Sequence, residues 1–162
     1  MRVLEEQPCC LLTAFDRVIV TAWSPKPSDE AAISTLLDAL LLEARRQGKV
    51  ALLVALQYDS PLPSEGVRRK VQRELRKVDP FVICGATVID KAGFRASTFR
   101  AVVAGMQRLS RPKHPEQVFA RPEQGVEFIR TQLSLAGFAP PEAADLLNHY
   151  RATTERACAL GR

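Results

Sequence analysis

The stretch Lys49-Val50-Ala51-Leu52-Leu53-Val54-Ala55-Leu56 decides the fold. After Lys49 it is apolar without alternation, so an extended segment there is greasy on both faces. A strand of that kind belongs in the centre of a parallel sheet, covered by helices on each side. The segments around it should therefore supply those helices and the neighbouring strands.

Immediately upstream, Ile33, Leu36, Leu37, Leu40, Leu41 and Ala44 recur at helical spacing. Ser28 suits the N-cap, Asp29 and Glu30 the first turn, Arg45 and Arg46 the last, and Gly48 the position just past the end. Further upstream, Pro8–Ala14 and the β-branched run Arg17–Trp23 predict two strands joined by a turn near Phe15-Asp16. The first of them is expected to form an antiparallel edge of the sheet.

Downstream, Ser64 can cap a helix running to about Val78, with Val67, Val71, Leu75 and Val78 as its inner stripe. Asp79-Pro80 ends it. Phe81–Ile89 predicts a further buried strand, and the turn Asp90–Gly93 leads into a helix carrying Phe99, Val102, Val103, Met106 and Leu109. Arg111–Pro115 reads as a linker and Gln117–Ala120 as a short edge strand. Pro122-Glu123 opens a helix closed near Gly137, and Pro141–Thr154 a last amphipathic one.

The expected fold is thus α/β: a mostly parallel sheet of four to five strands with an antiparallel edge hairpin, helices packed on it and an extra C-terminal helix. Residues 8–137 form the domain, and 138–162 a helical extension packed on it. That extension could cap the core or dock on another subunit, and the first role is preferred. A chain of 162 residues, 46% hydrophobic and 25% charged, can bury such a core without staples.

Apolar runs such as Val50–Leu56 are far shorter than the roughly 20 residues of a membrane helix. The start, Met1-Arg2-Val3-Leu4-Glu5-Glu6, has acids where a signal peptide would have an apolar stretch, so a cytoplasmic location is expected. Cys9, Cys10, Cys84 and Cys158 form no C-x-x-C pair and read as small buried hydrophobes. Adjacent Cys9 and Cys10 should point to opposite faces of a strand.

No glycine-rich nucleotide fingerprint, phosphate loop or G-x-S-x-G elbow is present. His114 and His149 lack ligand or triad partners at a useful spacing and are expected to be solvated. No enzyme activity, cofactor or metal is therefore expected.

Two features point instead to binding. Leu56-Gln57-Tyr58-Asp59-Ser60 leaves the carboxyl end of the central strand, where ligands of open α/β sheets gather. Ser60 and Ser64 are candidate phosphoacceptors beside a helix N-terminus, although both also suit plain turn and capping roles. The following helix places Arg69, Arg73, Arg76 and Lys77, with Lys70, opposite or beside its apolar stripe.

Between Gly66 and Lys113 the chain has twelve Lys/Arg against Glu74, Asp79 and Asp90, or +9, while the whole chain carries +5. The rest must then carry −4. Such asymmetry suits an acidic protein surface, nucleic acid or anionic lipid. No aromatic residue is interleaved on the basic face, so nucleic acid is not expected.

The segments Phe15–Trp23, Lys49–Val54, Ser64–Arg69 and Val118–Ile129, in this order of elements over Pro8–Leu133, resemble the STAS superfamily of anti-sigma-factor antagonists and stand-alone bacterial relatives. Its fold is shared with CRAL-TRIO lipid carriers. In antagonists the corresponding turn is of Asp-Ser-Ser-Gly type and its serine is phosphorylated by a partner kinase. Here Asp59-Ser60 matches the first half, and Pro61-Leu62-Pro63 stands in place of the rest.

The resemblance implies a non-enzymatic regulatory or scaffolding module in signalling. Its partner, an acidic protein surface or a kinase or regulator, would meet Tyr58, Asp59, Ser60, Ser64, Arg69, Arg73, Arg76 and Lys77. The alternative is a carrier of a lipid or other apolar small molecule, suggested by the shared fold and by Phe94, Phe99 and Met106.

Overall fold

The computed structural model describes residues 1–26, 30–57, 65–91, 93–110 and 112–161. Ser28 and Asp29, expected to begin the first helix, and Tyr58, Asp59, Ser60 and Ser64, expected at the site, lie outside the described residues. The strands are β1 (Arg2–Gln7), β2 (Cys10–Phe15), β3 (Val18–Trp23), β4 (Val50–Ala55), β5 (Val82–Val88) and β6 (Glu116–Phe119). The helices are α1 (Glu30–Gln47), α2 (Glu65–Val78), α3 (Phe94–Ser110), α4 (Pro122–Leu135) and α5 (Ala143–Leu160). A 3-10 turn at Asp79–Phe81 joins α2 to β5.

All six strands form one sheet in chain order, β1-β2-β3-β4-β5-β6. The pairs β1–β2 and β2–β3 are antiparallel, and β3–β4, β4–β5 and β5–β6 are parallel. The fold class is as expected, with one strand more. β1 is the outer edge strand, so the strand beginning near Pro8 is an inner one. The run Val50–Ala55 lies centrally, between β3 and β5.

Right-handed crossovers between strands laid down in one direction put their helices on one face. Accordingly α1 and α2 share a core with Leu12, Ile19, Val50 and Val82. On α3 the Gln107 side chain donates to Thr87 Oγ1 at 3.0 Å, which joins that helix to the sheet through β5. The opposite face is covered by α4 and α5: Val126, Ile129 and Leu133, then Leu146, Tyr150 and Ala157, pack on Val20, Leu53 and Ala86. The last helix thus contributes to the same core as the sheet, and it runs to Leu160 rather than Thr154.

Two backbone positions show how closely these layers fit. Asp16 takes the left-handed conformation (φ 50°) in the tight β2–β3 turn, where a short polar side chain is tolerated. Gly125 of α4 sits so close to the sheet that a Cβ there would lie 2.8 Å from Val88 Cγ2.

β1 has a polar sequence and is anchored from both sides. Arg2 pairs with Glu43 of α1, and Glu6 with Arg156 of α5. Glu43 is buried and also binds Arg46 and Gln47. The Arg46 and Arg2 guanidiniums and the Gln47 amide hold its carboxyl down at about 2, despite the opposing effect of burial.

Candidate functional site

The basic face of α2 is the most accessible part of the expected site. Val71 and Leu75 are half-buried and Val78 is buried against the α1 side of the core, which turns the opposite side of the helix outward. Arg69, Arg73, Arg76 and Lys77 are all exposed. Arg69 pairs with Glu65 at 2.6 Å, one turn away, and Glu74 takes both Arg73 (3.3 Å) and Lys77. Arg76 has no ion-pair partner among the described residues.

Lys70 is used differently. Its ammonium donates to the Glu30 carbonyl at 3.1 Å and ties α2 to the first turn of α1. The exposed pairs are weak and screened by salt, so a partner carboxylate can exchange for Glu65 or Glu74. Glu74 stays ionised, because Lys77 and Arg73 lower its pKa.

The carboxyl ends of the parallel strands form the second part. Beyond β3, Ser24 is buried; its hydroxyl donates to the Pro8 carbonyl at 2.7 Å and accepts from the Lys26 N–H at 3.2 Å. Beyond β4, the Gln57 amide donates to Cys158 Sγ on α5. Lys26 Nζ reaches the Leu160 carbonyl at 3.2 Å. The end of α5 therefore meets the chain just past β3 and β4.

Tyr150 is buried beneath this edge. Burial raises its phenol pKa, and Asp90, Glu123 and Cys158 add to the rise. The phenol is neutral at physiological pH and acts as a hydrogen-bonding group. Sequence reasoning missed the Gln57–Cys158 contact, whose two residues lie 101 positions apart.

His149 is buried and the His114 side chain is largely shielded, contrary to the expectation of solvated side chains. His149 lies between β2 and α5, with its Nε2 2.9 Å from Thr13 Oγ1 and its ring 5.0 Å from that of Phe15. Thr13 Oγ1 also lies 3.0 Å from Thr153 Oγ1, and the Thr153 hydroxyl donates to the His149 carbonyl at 2.8 Å. Burial lowers the pKa of His149 and favours its neutral form.

The His114 side chain is only 6% exposed. Its Nε2 is 3.1 Å from Glu116 Oε1, and its Nδ1 lies 3.8 Å from Asp79 Oδ1, too far for a hydrogen bond. The linker before β6 is thereby held against the turn after α2. Among the described residues no group of three or more His, Cys, Asp or Glu side chains is arranged to hold a metal ion.

None of the four cysteines is in a disulfide, and three of them are buried. Cys9 and Cys10 do not face opposite sides. Cys9 lies in the turn before β2, and both thiols enter the α1-side core with their sulfurs 3.9 Å apart. The alternation expected of a strand fails because only Cys10 is in one. Burial pushes the Cys84 thiol up to about 12, an inert state.

An open groove of about 600 Å³ runs between β6 and α4, lined in part by Val118, Phe119 and Phe128. No helix among the described residues is long and apolar enough to cross a membrane. Comparison of the chain with family models, curated proteins and solved structures gives no match.

Proposed function

We propose that this chain is a non-enzymatic regulatory or scaffolding module of STAS type, which binds an acidic surface of a partner protein through α2 and the β4–α2 junction. The observation that carries this reading is the simultaneous exposure of Arg69, Arg73, Arg76 and Lys77 on one helix whose other side is packed into the core. The order of elements from β2 to α4 supports it, being the order on which the resemblance rests. Opposite charges steer encounter and set register, so this face favours a partner rich in Asp, Glu or phosphate. Ser60 and Ser64 belong to the same proposed surface as phosphoacceptors.

The test is affinity capture from the source cell with the wild-type chain and with an Arg69→Glu/Arg73→Glu/Arg76→Glu variant. A specific partner retained by the wild type and depleted by roughly ten-fold or more with the variant is expected, since close interfacial charges are each worth about 1 kcal/mol or more. Equal recovery by both proteins, or no specific partner, would overturn the reading.

The alternative of a carrier for an apolar molecule draws on the β6–α4 groove, whose volume suits a small ligand. The groove is open along its length, which makes it the weaker reading. Native mass spectrometry of freshly purified protein distinguishes the two: a carrier retains a bound mass, and a protein-binding module runs as the bare chain.

A further inference from the structure

We infer that the outer face of α3 docks on an anionic lipid bilayer, seating the Phe94 ring at the level of the headgroups. This goes beyond the partner-binding role of α2 and rests on different residues. Helix α3 is apolar on two sides. Its inner side buries Ala96 and half-buries Phe99 and Val103. Its outer side presents Phe94, Thr98, Ala101, Val102 and Gly105, which fall within an arc of about 100° at helical spacing.

Phe94 is 87% exposed and Val102 45%. Single exposed apolar side chains such as Leu42 and Leu135 are ordinary, but Phe94 and Val102 share one face of one helix with Ala101 and Gly105, so their exposure forms a patch.

The charges say what covers this face. From Lys91 to Pro115 the sequence carries Lys91, Arg95, Arg100, Arg108, Arg111 and Lys113, and no Asp or Glu. Arg100 is engaged internally, donating to the Ile89 and Lys91 carbonyls at 3.1 and 2.9 Å, and Lys113 is exposed. The exposed cations of α2 lie on the same side of the sheet.

An apolar stripe on a stretch of sequence with six basic and no acidic residues, on the same side of the sheet as the cationic face of α2, is the pattern of a helix lying in the interface of an anionic membrane. The shape agrees. Thr98, Ala101 and Gly105 make the stripe shallow, and the Phe94 side chain stands at one end of it. A soft, disordered lipid boundary accommodates a flat face with one protruding ring. A folded protein partner would need a pocket matched to that ring, and an acidic rim besides.

The experiment is co-sedimentation of the full chain with vesicles of phosphatidylcholine alone or with about one third phosphatidylserine. The wild type should bind the anionic vesicles and not the neutral ones, and high salt should release it. Phe94→Ser should weaken that binding roughly ten-fold, the partition gain of one phenyl side chain, with an unchanged circular dichroism spectrum. A Phe94→Trp variant should shift its emission to the blue on adding anionic vesicles.

Three results would overturn the inference. One is absence of wild-type binding to the anionic vesicles. Another is equal binding of Phe94→Ser, which would mean adsorption through charge alone. The third is Phe94-dependent binding to an acidic protein with none to vesicles. The Arg69→Glu/Arg73→Glu/Arg76→Glu variant separates this surface from that of α2: it should reduce vesicle binding while leaving the blue shift of residual bound Phe94→Trp intact.

Discussion

The two faces of the sheet are built from similar helices and finished to different degrees. On the α4–α5 face, Ile129, Leu133 and Leu146 have no solvent exposure, and α4 approaches closely enough to require Gly125. On the other face α1 is equally well seated, through Ile33 and Ala44, but α3 leaves Phe94 and Val102 in water. Val102, expected among the apolar positions of that helix, is thus turned outward. The contrast teaches that apolar content does not by itself bury a helix. Burial requires a second surface, and the α4–α5 side has one in each direction, sheet below and neighbouring helix beside.

The comparison can be broken most directly by matched truncations. Leu146→Ala should cost about 3 kcal/mol in urea unfolding, because it opens a cavity in a closed core. Phe94→Ser, removing a larger side chain, should stay within about 0.5 kcal/mol of wild type. Similar losses for the two would show that α3 is packed as tightly as α5.

Thr13→Val should cost about 1.5 kcal/mol, since the buried His149 Nε2 loses its 2.9 Å partner. In a ring-proton NMR titration of the wild type, His149 should titrate below its ordinary value of 6.5. The sign follows from linkage: the unfolded state binds the proton more tightly, so this contribution is full above 6.5 and declines as the pH falls below it. A midpoint at or above 6.5 would contradict the buried, neutral imidazole.

A loss of about 1 kcal/mol or more near neutral pH is expected for Glu43→Gln, which removes the buried carboxylate shared by Arg2 and Arg46. The wild-type carboxyl is held at about 2 against an ordinary 4.5, so its contribution is complete above 4.5 and is lost as the pH falls toward 2. Melting temperatures recorded across that window should fall more steeply for wild type than for the variant. Parallel curves would remove the Arg2–Glu43–Arg46 cluster as an anchor of β1.

What was legible in the chain followed local periodicity. The helix from Ile33 to Ala44 declares a period of 3.6 residues and Val50–Leu56 an unbroken apolar run, and each lies where expected. β1 was not legible, because Arg2-Val3-Leu4-Glu5-Glu6-Gln7 shows neither a clean alternation nor a greasy run. Its strand character comes from pairing with β2 and from ion pairs to Glu43 and Arg156. The basic residues of α2 were legible as a face because helical spacing alone turns them outward. The burial of His149 was not, since its partner Thr13 is 136 positions away.

By itself, then, the order of residues determined the alternation of strands and helices, the parallel centre of the sheet and the cationic side of α2. All of these depend on helical or strand periodicity, on unbroken apolar runs and on neighbours in the chain. Only the tertiary structure decided the sixth strand, the wrapping of α5 onto the strand ends, the shielding of the two histidines and the exposure of Phe94. Those depend on which distant surfaces meet, and burial is a property of the pair of surfaces rather than of either sequence segment.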